Sequence, residues 1–145
     1  MTGATVLPAP AARVQGWLTA FHADPPLHTS FPLDLSNGHS VPGIHVICPC
    51  CNTIVATSLV HGRVTRPLPH VVAVEATGWC AACDRLTHAT CRFRATHDET
   101  LIEWLDADGR WQVRACRAPT ARERMLQVAK RWITRLGLAT PSARH

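Results

Sequence analysis

Long hydrophobic runs are missing from this chain. No stretch approaches the ~18 consecutive apolar residues that a bilayer-crossing helix needs, and the first residues lack a basic segment followed by an apolar one. The expectation is a cytoplasmic protein without a membrane span. Lysine is nearly absent as well: Lys130 stands alone among fifteen basic residues, the rest being arginine. With abundant Ala and Thr, that bias points to a GC-rich genome, a bacterium's or that of a bacterial mobile element. Catalytic signatures are missing too. There is no phosphate loop, nucleophile elbow or dinucleotide fingerprint, and His22, His28, His39, His61 and His70 show no metal-binding spacing such as H-E-x-x-H.

What remains is an ordinary globular composition. Hydrophobic residues are 46% and charged residues 17%, which excludes the disordered class for the chain as a whole, and 145 residues suit one domain. Residues 1–10 are small, uncharged and Pro-containing and read as a flexible lead-in. Between 11 and 43 the spacing of Val14, Trp17, Leu18 and Phe21 predicts a short helix, followed by a connector holding Pro25, Pro26, Pro32 and Pro42 and laid over the core. From Ile44 the texture becomes β. Strands are predicted over residues 44–48, 53–60, 70–77 and 86–95, rich in β-branched residues. A second hairpin follows, 100–105 with 110–116, turning at Asp106-Ala107-Asp108-Gly109, where Gly accepts a positive φ.

After Pro119, Thr120 and Glu123 form a capping box. Met125, Leu126, Ala129, Trp132, Ile133 and Leu136 then recur three and four apart, and Gly137 closes the pattern, so an amphipathic helix is expected from about 121 to 136. The predicted arrangement is α+β: a β domain over 44–118, a C-terminal helix within 119–138 packed on the same sheet, and a tail at 139–145.

Seven cysteines admit disulfides or metal, and spacing separates the two. An odd count with two C-x-x-C pairs, Cys48/Cys51 and Cys80/Cys83, fits thiolate ligands in a reducing compartment. Each pair lets two sulfurs meet one ion while backbone amides of the tight turn donate to them, and two pairs complete a closed tetrahedral site. The residue after each pair is Asn52 or Asp84, the non-Gly types that best tolerate the left-handed region such turns need. Over residues 44–95 the chain resembles zinc-ribbon proteins, in which two knuckles at hairpin ends clamp one ion. The resemblance implies one structural zinc and an antiparallel β core, here extended by the second hairpin. An iron or iron–sulfur centre is the alternative. The chain departs from common ribbons in lacking Gly after each pair and in the length of the insert from Gly62 to Pro69.

Cys50, His45, His88 and Cys91 are the residues that could alter the ligand set. On a strand, His88 and Cys91 point to opposite faces because their offset is odd. Cys116 reads as a small buried hydrophobe.

Four thiolates close a site against substrate, so no enzymatic activity is expected. Charge directs attention elsewhere. Thr96 to Gly109 holds five acids and no base, whereas Arg110 to His145 holds nine bases and the single acid Glu123. Arg114, Arg117, Arg122, Arg124, Lys130, Arg131 and Arg135 are the candidate contact residues for nucleic acid, a nucleic-acid-processing complex or an acidic protein surface. Arg92 and Arg94 would join them if Trp104 or Trp111 lay exposed nearby. The alternative is an interaction adaptor or inhibitor from a mobile element, with zinc purely structural. An anionic membrane is a third possible surface for the basic helix.

Overall fold

The computed structural model describes residues 10–135; the expectations for the lead-in at 1–9, for Leu136 and Gly137, and for the tail lie outside the described residues, as does the side chain of Val14. Among the described residues two helices and two antiparallel sheets make a mixed α+β fold. Helix α1 (Pro10–Ala23) opens the described chain, followed by a 3-10 turn at Leu27–Ser30 and a two-stranded sheet of β1 (Leu33–Asp34) and β2 (Ser40–Val41). The main sheet is a meander of five strands in sequence order: β3 (Val60–Leu68), β4 (Val71–Cys80), β5 (Arg85–Ala95), β6 (Glu99–Leu105) and β7 (Trp111–Arg117). Helix α2 (Ala121–Arg135) follows.

The sheet has two unlike faces because side chains alternate along each strand. Val72, Val74, Ala76, Phe93, Ala95 and Thr100 lie buried on one face. The segment between α1 and β3 covers them with Leu27, Leu33, Leu35, Val41, Val46 and Val55, which join the same core. Asn37 pins this cover, its amide donating to the carbonyls of Thr96 and Glu99 and to the Thr100 hydroxyl. The opposite face meets α1 at one end only, where Trp17 stacks on His88 at 5.6 Å and Phe21 meets His61 at 4.4 Å.

Several expectations need correction. The 24–43 connector does more than overlie the core: it supplies core residues and a hairpin whose turn has Gly38 at φ +83°. The strands expected at 44–48 and 53–60 reduce to a single bridge, Ile47 with Ile54, flanked by bonds from Cys48 N to Thr53 O and from Val55 N to Val46 O. Both arms are cut short, by the knuckle at one end and by a 3-10 turn at Thr57–Leu59 at the other. The presumed insert from Gly62 to Pro69 is largely strand β3. Pro67 is tolerated there because β3 is an edge strand and its register breaks between Thr65 and Leu68.

The second hairpin forms over Asp106–Gly109, with Gly109 at φ +76° and Asp106 Oδ1 accepting from the amides of Asp108 and Arg110. Helix α2 begins at its capping box, Thr120 N donating to Glu123 Oε2 at 2.6 Å and Glu123 N to Thr120 Oγ1 at 3.3 Å. Its apolar stripe, however, does not pack on the sheet. Met125 is 74% exposed and Trp132 59%, and no residue of the helix is buried. Polar contacts hold α2 instead: Arg124 lies over Gly38 and donates to Asn37 O, and Arg131 bonds Asp34 and Ser40 on the small sheet.

Candidate metal centre

Cys48, Cys51, Cys80 and Cys83 come together with all four Sγ atoms within 4.8 Å of one another. Cys80 ends β4 and Cys83 lies in the turn before β5, so the second pair is a knuckle at the tip of a long, well-paired hairpin. The first pair sits on the short bridge of residues 47–54, held against β4 by Val46 and Val55. Both pack over Gly78, where a Cβ would meet their methyls at 3.1–3.2 Å. Asn52 and Asp84 adopt φ of 55° and 52°, the left-handed turns that bring each second sulfur back beside the first. Asn52 N donates to Cys48 O at 2.8 Å to close the first of them.

The donor environment favours thiolate. Amides of Cys51 and Cys50 point at Cys48 and hold its thiol below the usual range. The Thr53 hydroxyl, 2.9 Å from Cys51 Sγ, and the Thr53 amide bring Cys51 down to about 6. Cys83 moves the other way, because it serves as hydrogen-bond donor to Cys51 and Cys50 among crowded sulfurs. Four sulfurs this close cannot all ionise unless a cation neutralises them. The set therefore fits a metal ion that takes four soft ligands and leaves no open position. Cys48 and Cys80 are buried, which keeps water from that side.

No protein-family model, curated protein or solved structure matches the chain. Of the residues that could have altered the ligand set, Cys50 is exposed and beside Cys83, outside the quartet. His45 stands apart from it. His88 stacks under Trp17 and bonds Thr77 and Thr90, while Cys91 lies three residues on, paired with Val74, its thiol pushed up to about 11 by burial. Neither belongs to the quartet. Cys116 is half-buried on β7.

The candidate contact residues are scattered in their engagement. Arg117 pairs with Glu123 at 2.8 Å and Arg131 with Asp34 at 2.8 Å, and Arg124 is spent on Asn37. Arg114, Arg122, Lys130 and Arg135 are exposed and make no ion pair among the described residues. On the sheet face left open by α1, the Arg92 guanidinium lies 3.9 Å over the Trp111 ring, and Trp111 is 44% exposed. Glu103 sits between Arg92 and Arg94 and binds both. Among the described residues no helix is long and apolar enough to cross a membrane.

Sequence reasoning missed the β1–β2 hairpin, although Asn37-Gly38 between Leu33, Leu35 and Val41 is a strong hairpin signal. The Arg92–Trp111 stack needs the β5–β6–β7 register and had no local signal.

Proposed function

We propose that this chain is a non-enzymatic binding module in which one zinc ion, held by Cys48, Cys51, Cys80 and Cys83, locks the cover segment to the sheet as in a zinc ribbon. The surface bearing Arg114, Arg122, Lys130 and Arg135 contacts nucleic acid. Zinc suits four thiolates in a closed tetrahedral set and supplies no reactive position there, so it acts on folding alone. The observation that carries the nucleic-acid reading is that these four cations, on β7 and on α2, which follows it in sequence, are exposed and have no carboxylate partner among the described residues. Cations left free in this way attract phosphates and release counterions on contact. Trp111 beside Arg92, on the other face of β7 from Arg114, adds an aromatic face on which a base can stack.

Anisotropy of labelled single- and double-stranded DNA and RNA at several salt concentrations tests this. Binding should weaken linearly in log–log coordinates. Neutralising Arg114, Arg122, Lys130 and Arg135 to Gln should lower the slope by about three. No binding by the zinc-loaded chain at low salt refutes the reading. The exposed apolar stripe of α2 favours a second reading, a module that binds protein; it predicts one partner retained after nuclease treatment.

A further inference from the structure

We propose that two copies of this chain dimerise by seating helix α2 of each in an apolar groove of the other. The groove runs between residues 39–49 and the covered face of β5, β6 and β7, with a volume of about 660 Å³. Val41, Ile44, Ile47, Phe93, Ile102 and Trp104 line it, and Ile47 and Trp104 stand at its rim, 51% and 39% exposed. It is the size to accept the few anchors, three and four residues apart, that an amphipathic helix inserts. Such a helix stands on the same chain, its stripe of Met125, Leu126, Val128, Trp132 and Ile133 exposed.

Within one chain the two surfaces do not meet. Arg124 and Arg131 hold α2 on the β1–β2 hairpin, and no α2 residue lines the groove. A second copy supplies what each lacks. Charge agrees with this pairing and opposes a simple α2–α2 contact. The helix carries five bases and one acid, so two helices side by side repel, whereas among the described residues no Lys or Arg lines the groove, which ends on Asp106. Area agrees as well. The stripe presents on the order of 500 Å² of apolar surface, near the upper end of what a monomeric protein leaves in one patch. Two reciprocal seatings remove roughly 2,000 Å² in total, within the range of stable interfaces. When the same two copies exchange helices with each other the contact is twofold and stops at two, as proposed; exchange along a row of copies would instead give longer assemblies.

Sedimentation equilibrium and light scattering on the full-length zinc-loaded chain decide the matter. A dimer is expected, and Met125→Glu on the helix or Trp104→Glu at the groove rim should each weaken it at least about tenfold. Both positions are exposed and lie outside the segment that carries the four clustered cysteines, so the circular dichroism and zinc content of each variant should match the parent. Mixing the two variants should restore a heterodimer, since the intact helix of one then meets the intact groove of the other. A parent chain that stays monomeric up to about 100 μM, tenfold above an ordinary weak dimer, overturns the proposal. So does a dimer that Trp104→Glu leaves unchanged, which would place the contact between helices, and so does failure of the mixed variants to associate.

Discussion

Removing the metal should release the cover segment and spare the sheet. Residues 44–56 are held by few contacts of their own: Val46 and Val55 are buried against Gly78, and the backbone contributes little beyond bonds among Val46, Cys48, Asn52, Thr53 and Val55. Ordering about a dozen residues costs roughly 12–24 kcal/mol. Two buried valines return about 3–6 kcal/mol, and a handful of hydrogen bonds return about 3. The shortfall, roughly 3–18 kcal/mol, brackets what a four-thiolate metal site supplies, about 10 kcal/mol or more at neutral pH. The strands β4 to β6 owe less to the metal, because Val72, Val74, Phe93, Ala95 and Thr100 are buried well along the sheet from the knuckles. Hydrogen exchange read by mass spectrometry, before and after chelation or in Cys80→Ser, is the assay. Amides of Cys48, Asn52 and Val55 should lose protection by several orders of magnitude while those paired between β5 and β6 keep theirs. Unchanged protection at 48–55 refutes a structural metal. Simultaneous loss through β6 refutes the division of the fold into a metal-held cover and a self-supporting sheet.

Other outcomes can be read from single positions. At Asn52 and Asp84, both left-handed, substitution by Gly should be tolerated in thermal denaturation, whereas Val at either should cost about 1–2 kcal/mol and weaken metal retention in a chelator competition. Gly62→Ala should destabilise by more than about 1 kcal/mol in urea unfolding, because its Cβ would strike the carbonyl oxygen of Glu75 on the neighbouring strand. The Arg131 hydrogen bond holds the Asp34 carboxyl below its usual range, and the Thr120 amide does the same for Glu123. With the folded values depressed, their stabilisation is present above the ordinary carboxylate range near pH 4 and is lost as pH falls through the lower folded values. Helix α2 should therefore loosen in acid below about pH 4, seen as falling helical circular dichroism, and Glu123→Gln should flatten that titration.

The metal quartet was legible because its determinants are local. Cys-x-x-Cys followed by Asn52 or Asp84 encodes a turn, a pair of sulfurs and the left-handed residue that brings them together, all within five positions. The same holds for the second hairpin at Gly109 and for the start of α2, where Thr120 and Glu123 satisfy each other's amides. Strand β3 was less legible because Gly62 and Pro67 look like loop residues, and only its place at the sheet edge, against Glu75 and Ala76, explains both.

Helix α2 shows where periodicity stops informing. Its pattern specifies a helix with one apolar side, and the helix is there. The same pattern cannot say against what that side is buried, since a stripe made for the chain's own sheet and one made for another surface read alike. Here the sheet face that might have received it is already covered by Leu33, Leu35, Val41, Val46 and Val55, drawn from a segment with no periodicity of its own. Prolines spaced through 25–42 concealed that contribution, because each removes an amide donor without preventing the leucines between them from reaching the core. The cover thus displaces α2 from the sheet, and a metal held by the four cysteines would tie residues 46–55 of that cover to β4. If that metal is zinc, as proposed, its loss would act on partner binding at one remove, by freeing a segment that gives Val46 and Val55 to the core and Ile47 to the wall of the groove.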